Sequence, residues 1–247
     1  MILVIGITAF IIHLRLLQVR KEEKQKADVR LELNNIELKA LKAQMNPHFI
    51  FNAINAIQSF ILSSNVDKAL YYLSLFSRLV RKTLENASKE FIPLGEELEY
   101  LNYYIELEKM RFEGQFKIEL EIDPELPLET TMIPPMIIQP FIENAIKHGL
   151  LRLDEVGTLK LSVNKINDNQ YSFIVEDNGI GRARAEEFKK SEVKVHTSKG
   201  MEITNTRLRL LNENGRAGEY SVKITDLLSD DGKPAGTKIE VSFPLEG

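Results

Sequence analysis

A chain of 247 residues has room for one large domain or two small ones, and its apolar fraction of 43% is ample for a buried core. The net charge of -4 argues against general nucleic-acid binding, which normally needs a basic surface, so we expect no direct nucleic-acid partner. The sequence has no cysteine, which excludes disulfides, thiolate zinc sites and cysteine nucleophiles, and a reducing compartment suits the main body of the chain.

The first segment differs in composition from everything after it. Residues 1–12 are almost entirely apolar, and weaker hydrophobicity continues beyond them. A spanning helix needs about 20 apolar residues, so we interpret residues 1–19 as the end of a membrane anchor. Basic residues between Arg15 and Lys26 predict that the rest of the chain lies in the cytoplasm, beneath the inner (cytoplasmic) membrane. A buried amphipathic helix is the alternative, because periodicity does not distinguish it from a short membrane segment.

Residues 20–112 are predicted to be helical and to form a homodimer. Apolar residues at alternating steps of four and three within 20–45 indicate a coiled coil, which continues as a helix to about residue 62. Asn65 is a candidate N-cap for a second helix that ends near residue 85, and a third helix ends near Arg111. Two helices with a short connection form a hairpin, and two hairpins form a four-helix bundle.

The stretch Asn-Pro-His-Phe-Ile-Phe-Asn over residues 46–52 stands out in this region. His48 and Asn52 lie one helical turn apart, on a stripe otherwise occupied by aliphatic side chains. Pro47 removes a backbone donor just before the histidine, which predicts a local kink. Taken alone, this stretch favours a core histidine beside a helix irregularity, and only the motifs further along the chain reverse that interpretation.

From residue 113 onward the pattern becomes that of an α+β domain. Alternating apolar residues predict five strands, at 116–122, 158–163, 171–176, 220–224 and 237–243. Helices are predicted over 135–147 and 200–211, and a polar, glycine-bearing loop over 177–199. The predicted fold class is therefore α+β, with an N-terminal anchor and helical hairpin followed by a mixed sheet with helices on one face.

The first of three polar clusters in this domain is Glu-Asn-Ala-Ile-Lys-His-Gly, at the end of a predicted helix. Lys147 and His148 there favour the helix dipole, and Gly149 is a candidate C′ cap. Those structural roles do not account for Glu143 and Asn144. A carboxamide oxygen is a suitable ligand for Mg²⁺, which takes few protein ligands and completes its shell with phosphates and water.

The second cluster is Asp-Asn-Gly-Ile-Gly, directly after a strand, and its simplest interpretation is an exposed turn. A dinucleotide-binding loop is excluded because an arginine occupies the third glycine position of G-x-G-x-x-G, and no Walker sequence occurs. Asp177 can accept a hydrogen bond from an exocyclic amine, while Gly179 and Gly181 let backbone approach a ring. In the third cluster, Gly200 opens a helix whose free N–H groups suit phosphate, and Thr237 enters the last strand.

Together these motifs resemble the LytS/YehU-type sensor histidine kinases. The resemblance covers roughly residues 40–245 and is carried by the stretch around His48, by Gln-Pro-Phe-Ile-Glu-Asn-Ala-Ile-Lys-His-Gly and by Asp-Asn-Gly-Ile-Gly. It implies that residues 20–112 are a dimerisation and histidine phosphotransfer region. It also implies that residues 113–247 are a GHKL (Bergerat) α/β-sandwich domain that binds ATP and Mg²⁺.

The resemblance further implies a role for each candidate residue. His48 would be phosphorylated from Mg-ATP and would pass the phosphoryl group to an aspartate of a response regulator with a receiver domain, the LytTR type being one candidate. Asn52 would orient the imidazole, Glu143 would be a catalytic or positioning acid, and residues 181–199 would form a mobile lid over ATP. The nucleotide would be bound by Asn144 (as the metal ligand), Lys147, His148, Asp177, Gly179, Gly181, Gly200 and Thr237.

Two features depart from the usual pattern of this fold. The segment after the lid usually carries G-x-G, whereas this chain has Glu202 at the third place, where an acid would weaken ATP binding. The acid that often follows the histidine is replaced by Phe49, as in the apparent subfamily. Two other functions therefore stay open: a GHKL ATPase that makes no phosphohistidine, and a signalling scaffold that has lost its nucleotide.

Overall fold

In a computed structural model of the chain, the described residues are Arg15, Arg20, 47–191, 199–213 and 219–245. The chain divides into two compact units, Met1–Ile50 and Phe51–Gly247. The predicted coiled coil over 20–45 and the predicted anchor over 1–19 lie outside the described residues, apart from the two arginines. No helix within the described ranges is long and apolar enough to cross a membrane.

The described part of the chain begins with helices and continues with strands and helices in mixed order. In chain order they are α1 (Pro47–Leu62), α2 (Val66–Asn86), β1 (Ile92–Pro93), α3 (Leu94–Arg111), β2 (Phe116–Ile122), β3 (Met132–Ile133), α4 (Gln139–Asn144), a π-helical turn (Ala145–Gly149), a 3-10 turn (Leu150–Arg152), β4 (Gly157–Asn167), β5 (Gln170–Asp177), α5 (Gly181–Ser191), α6 (Lys199–Glu213), β6 (Ser221–Leu228) and β7 (Pro234–Pro244).

The helical hairpin of α1 and α2 is confirmed, together with its cap. Ser64 in the connection adopts a left-handed backbone with φ 58°, and the Lys68 N–H donates to Asn65 Oδ1 at 3.2 Å. This bond satisfies one of the free N–H groups at the start of α2. Phe60 and Tyr72 pack across the hairpin with ring centroids 5.8 Å apart, which holds the two helices together.

α3 links the hairpin to the sheet domain, and its predicted end at Arg111 is confirmed. It packs against α2, and β1, directly before it, pairs antiparallel with β3. α3 also carries two carboxylates, Glu97 and Glu108, whose exposed fraction is 0%. Fully buried acids are rare without partners, so their contacts bear on what α3 does.

The strands form the predicted mixed sheet, in the order β2-β4-β5-β7-β6. β2 is parallel to β4, and every other neighbouring pair is antiparallel. The register places Val163, Phe173 and Val241 side by side, each with an exposed fraction of 0%. Three residues along, and so on the opposite face, the Lys238 ammonium lies 3.7 Å from the Glu176 carboxylate. One face is therefore the core and the other is polar, and the α+β class is confirmed.

The helix predicted over 135–147 begins later than expected. α4 starts at Gln139, so that Pro140 rather than Pro135 occupies its first turn. The cause lies in Met136, whose φ of 56° places it in the left-handed region and prevents the helix from extending back through it. The chain before α4 is therefore a strained turn.

The end of this helix also differs from the prediction. A π-helical turn follows α4 and runs directly into a 3-10 turn. Gly149 has φ -99° and ψ -73°, so it is not the left-handed C′ cap that was predicted. A glycine is required at this position for another reason: the backbone passes so close to the Asp177 carboxylate that a side chain would collide with it.

The loop predicted over 177–199 contains a helix, α5. Its residues are mostly Ala, Arg, Glu and Lys, which are good helix formers, and this outweighs the polarity that suggested a loop. Both oxygens of Asp226, on β6, accept hydrogen bonds from Arg182 at 2.7 Å, which fixes the first turn of α5 to the sheet. Residues 192–198 of the predicted lid lie outside the described residues, and α6 confirms the helix predicted over 200–211.

Candidate functional site

Asp177, the last residue of β5, is the centre of the candidate site. Its exposed fraction is 5%, and its Oδ1 accepts a hydrogen bond from the Gly179 N–H at 2.9 Å. Burial raises the pKa of Asp177 to about 6, although the backbone N–H groups of Gly179 and Thr237 favour the ionised form. The carboxylate is therefore mostly ionised at neutral pH. It lies in a poorly solvated environment, where a hydrogen bond to it is stronger than in water.

Three glycines allow separate backbone segments to meet around Asp177. A Cβ at Gly149 would lie 2.7 Å from Asp177 Oδ1, and one at Gly179 would lie 2.5 Å from the backbone of Gly149. Gly236 has φ 136°, and a Cβ there would lie 1.9 Å from the Asp177 carbonyl oxygen. No larger residue fits at these positions without moving the carboxylate or its supports.

A cavity of about 200 Å³ opens beside the carboxylate. Its walls combine polar groups with aliphatic side chains, among them Ile224 and Ile239 on the last two strands. Five of the residues predicted from the sequence line this cavity: Asn144, His148, Asp177, Gly181 and Thr237. They come from α4, the π-helical turn, β5, α5 and β7, so the fold brings together residues that are far apart in the sequence.

Asn144 is held in a way that suits a metal ligand. Its Nδ2 donates to the Pro140 carbonyl oxygen at 2.8 Å, which leaves Oδ1 as the atom that could bind a cation. Among the described residues there is no group of three or more His, Cys, Asp or Glu side chains that could hold a metal ion by themselves. A single carboxamide oxygen fits Mg²⁺ that arrives with phosphates, since such an ion needs few protein ligands.

Glu143 and Lys147 form an ion pair with each other, one helical turn apart. Both are half-buried. Burial raises the pKa of Glu108 of α3 to about 7, and the nearby charges of Arg111 and Lys147 offset part of that rise. Glu143 was predicted to be a catalytic or positioning acid and Lys147 a phosphate contact. Because the carboxylate of Glu143 is engaged by a cation, positioning Lys147 is the role that this geometry supports for it.

The remaining predicted site residues are Gly200, Asn52 and His48. Gly200 lies in the first turn of α6, where an added Cβ would lie 3.4 Å from Pro140 Cβ. Asn52 is half-buried on α1 and lines an open groove of about 530 Å³ between α1 and the end of α3. His48 belongs to the first compact unit, and its side chain lies outside the described part of the structure.

Two kinds of site residue escaped the sequence analysis. The aliphatic walls of the cavity, Ile224 and Ile239, look like ordinary alternating strand residues, and only the sheet order places them beside Asp177. Arg182 and Glu186 line the cavity from α5, which the sequence analysis took for a loop. The composition of residues 181–191 was the signal that could have found them.

Comparison with known proteins agrees with the motifs. Residues 36–116 match the family model described as histidine kinase. LytS of Bacillus subtilis is 41% identical over 150 residues, covering 60% of this chain and 24% of that protein. LytS of Bacillus cereus is 34% identical over 214 residues, covering 86% and 34%. The sensor histidine kinase BtsS of Escherichia coli K12 is 38% identical over 159 residues, covering 63% and 26%.

Among solved structures, the histidine kinase domain of the Erythrobacter litoralis blue-light activated histidine kinase is 20% identical, with a TM-score of 0.46, and the match covers 75% of this chain and 83% of that one. The chain spans between 24% and 34% of the length of the three curated relatives. Over that span, the chain is similar to the LytS-type sensor histidine kinases in the order of its motifs and in sequence identity, and residues 36–116 match the histidine kinase family model.

Proposed function

We propose that the chain is the kinase portion of a two-component sensor. His48 would be phosphorylated from ATP bound beside Asp177 and would then phosphorylate an aspartate of a response regulator. The observation that carries this proposal is the cavity in which Asn144, His148, Asp177 and Thr237 converge. The family match over residues 36–116 includes His48 and supports the other half of the reaction.

The cavity suits a purine ring. The buried carboxylate of Asp177 would accept a hydrogen bond from the exocyclic amine of adenine, a donor that guanine lacks at that place. The aliphatic walls formed by Ile224 and Ile239 would cover the ring faces, as is usual in ligand pockets. The backbone packing at Gly149 and Gly179 leaves no room for another orientation of the carboxylate.

The opposite end of the cavity suits a metal-bound triphosphate. Asn144 Oδ1 would hold Mg²⁺, and His148 and the first turn of α6 at Gly200 would contact phosphate oxygens. Lys147 would reach the phosphates from its ion pair with Glu143. Bound Mg²⁺ supplies neutralisation of the charge that develops on the phosphates during transfer.

His48 would attack with one imidazole nitrogen while the other nitrogen still carries a proton. The new N–P bond forms as the bond from the γ-phosphorus to the leaving ADP oxygen breaks, and the imidazole becomes cationic. Asn52, one turn further along α1, would orient the ring, although a carboxamide is not a base. Glu143 would take the proton if the two regions close on each other and its carboxylate leaves the ion pair with Lys147.

The proposed homodimer is supported by apolar surface on the hairpin. Apolar side chains of α2 at steps of four, three and eleven remain exposed on one stripe: Val66, Leu70, Leu73 and Leu84 are 57%, 60%, 45% and 56% exposed. On α1, Phe51, Ile54 and Ile61 are 65%, 45% and 56% exposed. Apolar stripes of this size on one chain are typical of helices that bury them against a partner.

The wider arrangement completes the proposal. The domain boundaries would lie after residue 19 and after residue 112, with residues 1–19 anchored in the cytoplasmic membrane and the kinase portion in the cytoplasm. The response regulator would dock near His48, and a LytTR-type regulator is one candidate. The names of the relatives, which are a sensor protein and a sensor histidine kinase, support the assignment of this chain to a sensor.

The test is incubation of the full chain with γ-labelled ATP and Mg²⁺, comparing wild type with His48→Gln. We expect acid-labile, alkali-stable label on the wild type and none on the variant. His13→Gln, which removes another of the four histidines, is the matched control and should keep its label. ATP hydrolysis without label would favour the GHKL ATPase, and absence of ATP binding would favour the scaffold, for which exposed Glu202 in the first turn of α6 is the supporting feature.

A further inference from the structure

Glu97 makes an unusual contact across the molecule. It lies on α3 with an exposed fraction of 0%, and its Oε2 accepts a hydrogen bond from the Met136 N–H at 2.9 Å, 39 residues away. The N–H groups of Ile137 and Ile138 face the same carboxylate and also favour its ionised form. These three N–H groups immediately precede α4, and the Met136 N–H is satisfied by Glu97, which belongs to another helix.

The segment that Glu97 holds cannot be stable on its own. Met136 has φ 56°, while Ile138 has φ -89° and ψ -32°. Successive N–H groups in a turn form a concave nest that attracts an anion, and a left-handed non-glycine residue costs free energy unless its surroundings fix it. The residue before α4 offers no side-chain cap of its own. The anion in this nest is the carboxylate of Glu97.

Two further bonds fix the same segment. Tyr100, one turn after Glu97 on α3, donates from its hydroxyl to Gln139 Oε1, the first residue of α4, at 2.5 Å. Arg207 on α6 donates from Nη1 to the Pro135 carbonyl oxygen at 3.0 Å. The start of α4 is therefore held from α3 on one side and from the helix after the lid on the other.

Burying the charge of Glu97 costs free energy, which argues for a role beyond packing. Burial raises the pKa of Glu97 to about 7, so the ionised form is disfavoured relative to an exposed glutamate. Glu97 nevertheless bonds across 39 residues to a left-handed residue just before α4, so it is a candidate for positioning that segment.

We propose that Glu97 is a positioning residue of the nucleotide site, and that its carboxylate fixes the start of α4 so that Asn144 and His148 stay aligned with Asp177. The inference rests on the proposed function, since it assumes that this cavity binds Mg-ATP. It also makes α3, which packs on the hairpin helix α2, the element through which the hairpin region contacts the nucleotide site.

The test is calorimetric titration of the full chain with Mg-ATP, for wild type, Glu97→Gln and Glu99→Gln. Glu99 lies on the same helix, is exposed and pairs with Lys82 at 2.6 Å, so it is a matched loss of charge without a contact to α4. We expect Glu97→Gln to weaken binding about tenfold, as outer-shell changes do, with Tm within a few degrees of wild type. Glu99→Gln should bind like wild type.

Amide hydrogen exchange in a peptide covering residues 136–138 reads the contact directly. We expect faster exchange there in Glu97→Gln, with β7 unchanged. If Glu97→Gln fails to fold, Tyr100→Phe removes only the hydroxyl bound to Gln139 and should also weaken Mg-ATP binding while exchange before α4 rises.

The outcomes separate the two proposals. If wild type binds no Mg-ATP, the proposed function fails. If wild type binds and Glu97→Gln binds equally well, the positioning role is wrong. A lower Tm with unchanged affinity would also overturn it, because that result assigns Glu97 a structural role only.

Discussion

At the scale of single residues, Asp177 combines burial with ionisation, and this combination is what adenine recognition needs. A carboxylate with a raised pKa of about 6 still carries its charge at neutral pH, and it is desolvated enough that a matching donor is strongly preferred to water. The surrounding glycines fix the carboxylate without adding side chains that would occupy the cavity.

We expect Asp177→Asn to weaken ATP binding at least about tenfold, because the new amide can place a donor against the amine of adenine. Wild-type affinity should fall as the pH is lowered from 7 to 5, since protonation of a group with pKa about 6 removes the negative charge of the acceptor, and the variant should lack this part of the pH dependence. Titration calorimetry across this range measures both. Asp168→Asn, at an exposed site in the β4–β5 connection, is the control. Equal affinity of Asp177→Asn and wild type would contradict the assigned role.

Gly149→Ala tests the packing behind the carboxylate. The added Cβ would lie 2.7 Å from Asp177 Oδ1, so the side chain of Asp177 must shift. We expect a loss of about 1–3 kcal/mol in the free energy of unfolding, typical of overpacking, together with loss of ATP binding. Denaturant unfolding and calorimetry measure the two effects.

Gly95→Ala is the matched control for that change. A Cβ at this half-buried position of α3 would meet its neighbours at 3.5 Å or more, which is ordinary contact. Alanine is a better helix former than glycine, so the control should gain about 0.5–1 kcal/mol in stability. If both variants bind ATP like wild type, the packing around Asp177 has no part in binding.

At the scale of elements, secondary structure could be predicted from the sequence wherever it depends on residues that are close together in the chain. Alternation located the five strands of the large sheet but not the two-residue strands β1 and β3, and Asn65 with its turn located the start of α2. The start of α4 could not be located in this way, because the left-handed Met136 is fixed by Glu97, which lies 39 residues earlier. Local propensity contains no information about such a contact.

The candidate site shows the same division. The polar members were predictable because Asn144, His148 and Asp177 occur in recognisable motifs. The structural role of Gly149 was not predictable, because the absence of a side chain there allows close contact with Asp177 and does not serve a helix cap. The ion pair of Glu143 and Lys147 follows from their spacing of four and was overlooked in favour of separate roles.

The apolar stripe of α2 makes a testable claim about assembly. We expect Leu73→Glu to weaken self-association at least about tenfold, because a dimer would have to bury the new charge. Ser74→Glu adds the same group at an exposed position beside the stripe and should have a much smaller effect. Sedimentation of the full chain over a range of concentrations gives the dissociation constants. A wild-type chain that stays monomeric at high concentration would rule out the proposed dimer.

At the scale of the whole molecule, three buried acids share one electrostatic property. Burial raises the pKa of Glu97 and of Glu108 to about 7 and that of Asp177 to about 6. Each group binds its proton more tightly in the folded chain than in the unfolded chain, where ordinary values are near 4. Their contribution to stability is therefore complete at low pH and is lost as the pH rises through 6 and 7.

Exposed ion pairs lower the pKa of their acids instead of raising it, and they affect stability at a lower pH than the buried acids do. Hydrogen bonds from Lys165 and Arg182 lower the pKa of Asp168 and Asp226, so these acids are already ionised above about pH 4. The buried acids, with pKa values of about 6 and 7, therefore titrate between pH 5 and 8, where these two exposed acids stay ionised. Histidines also titrate in this range, so the buried acids must be isolated by comparing variants.

We expect Glu108→Gln to flatten the dependence of stability on pH. In wild type the free energy of unfolding should fall as the pH rises from 5 to 8, and a fully titrating group contributes up to about 1.4 kcal/mol per pH unit. The variant lacks one such group, so urea unfolding at intervals across this range should give a shallower decline, and at pH 8 the variant should lose less stability relative to pH 5. Glu106→Gln, on the same helix but half-exposed, should keep the wild-type slope. Equal slopes in wild type and Glu108→Gln would mean that Glu108 is ionised at pH 5 in the folded chain, with its charge balanced by Arg111 at 2.7 Å.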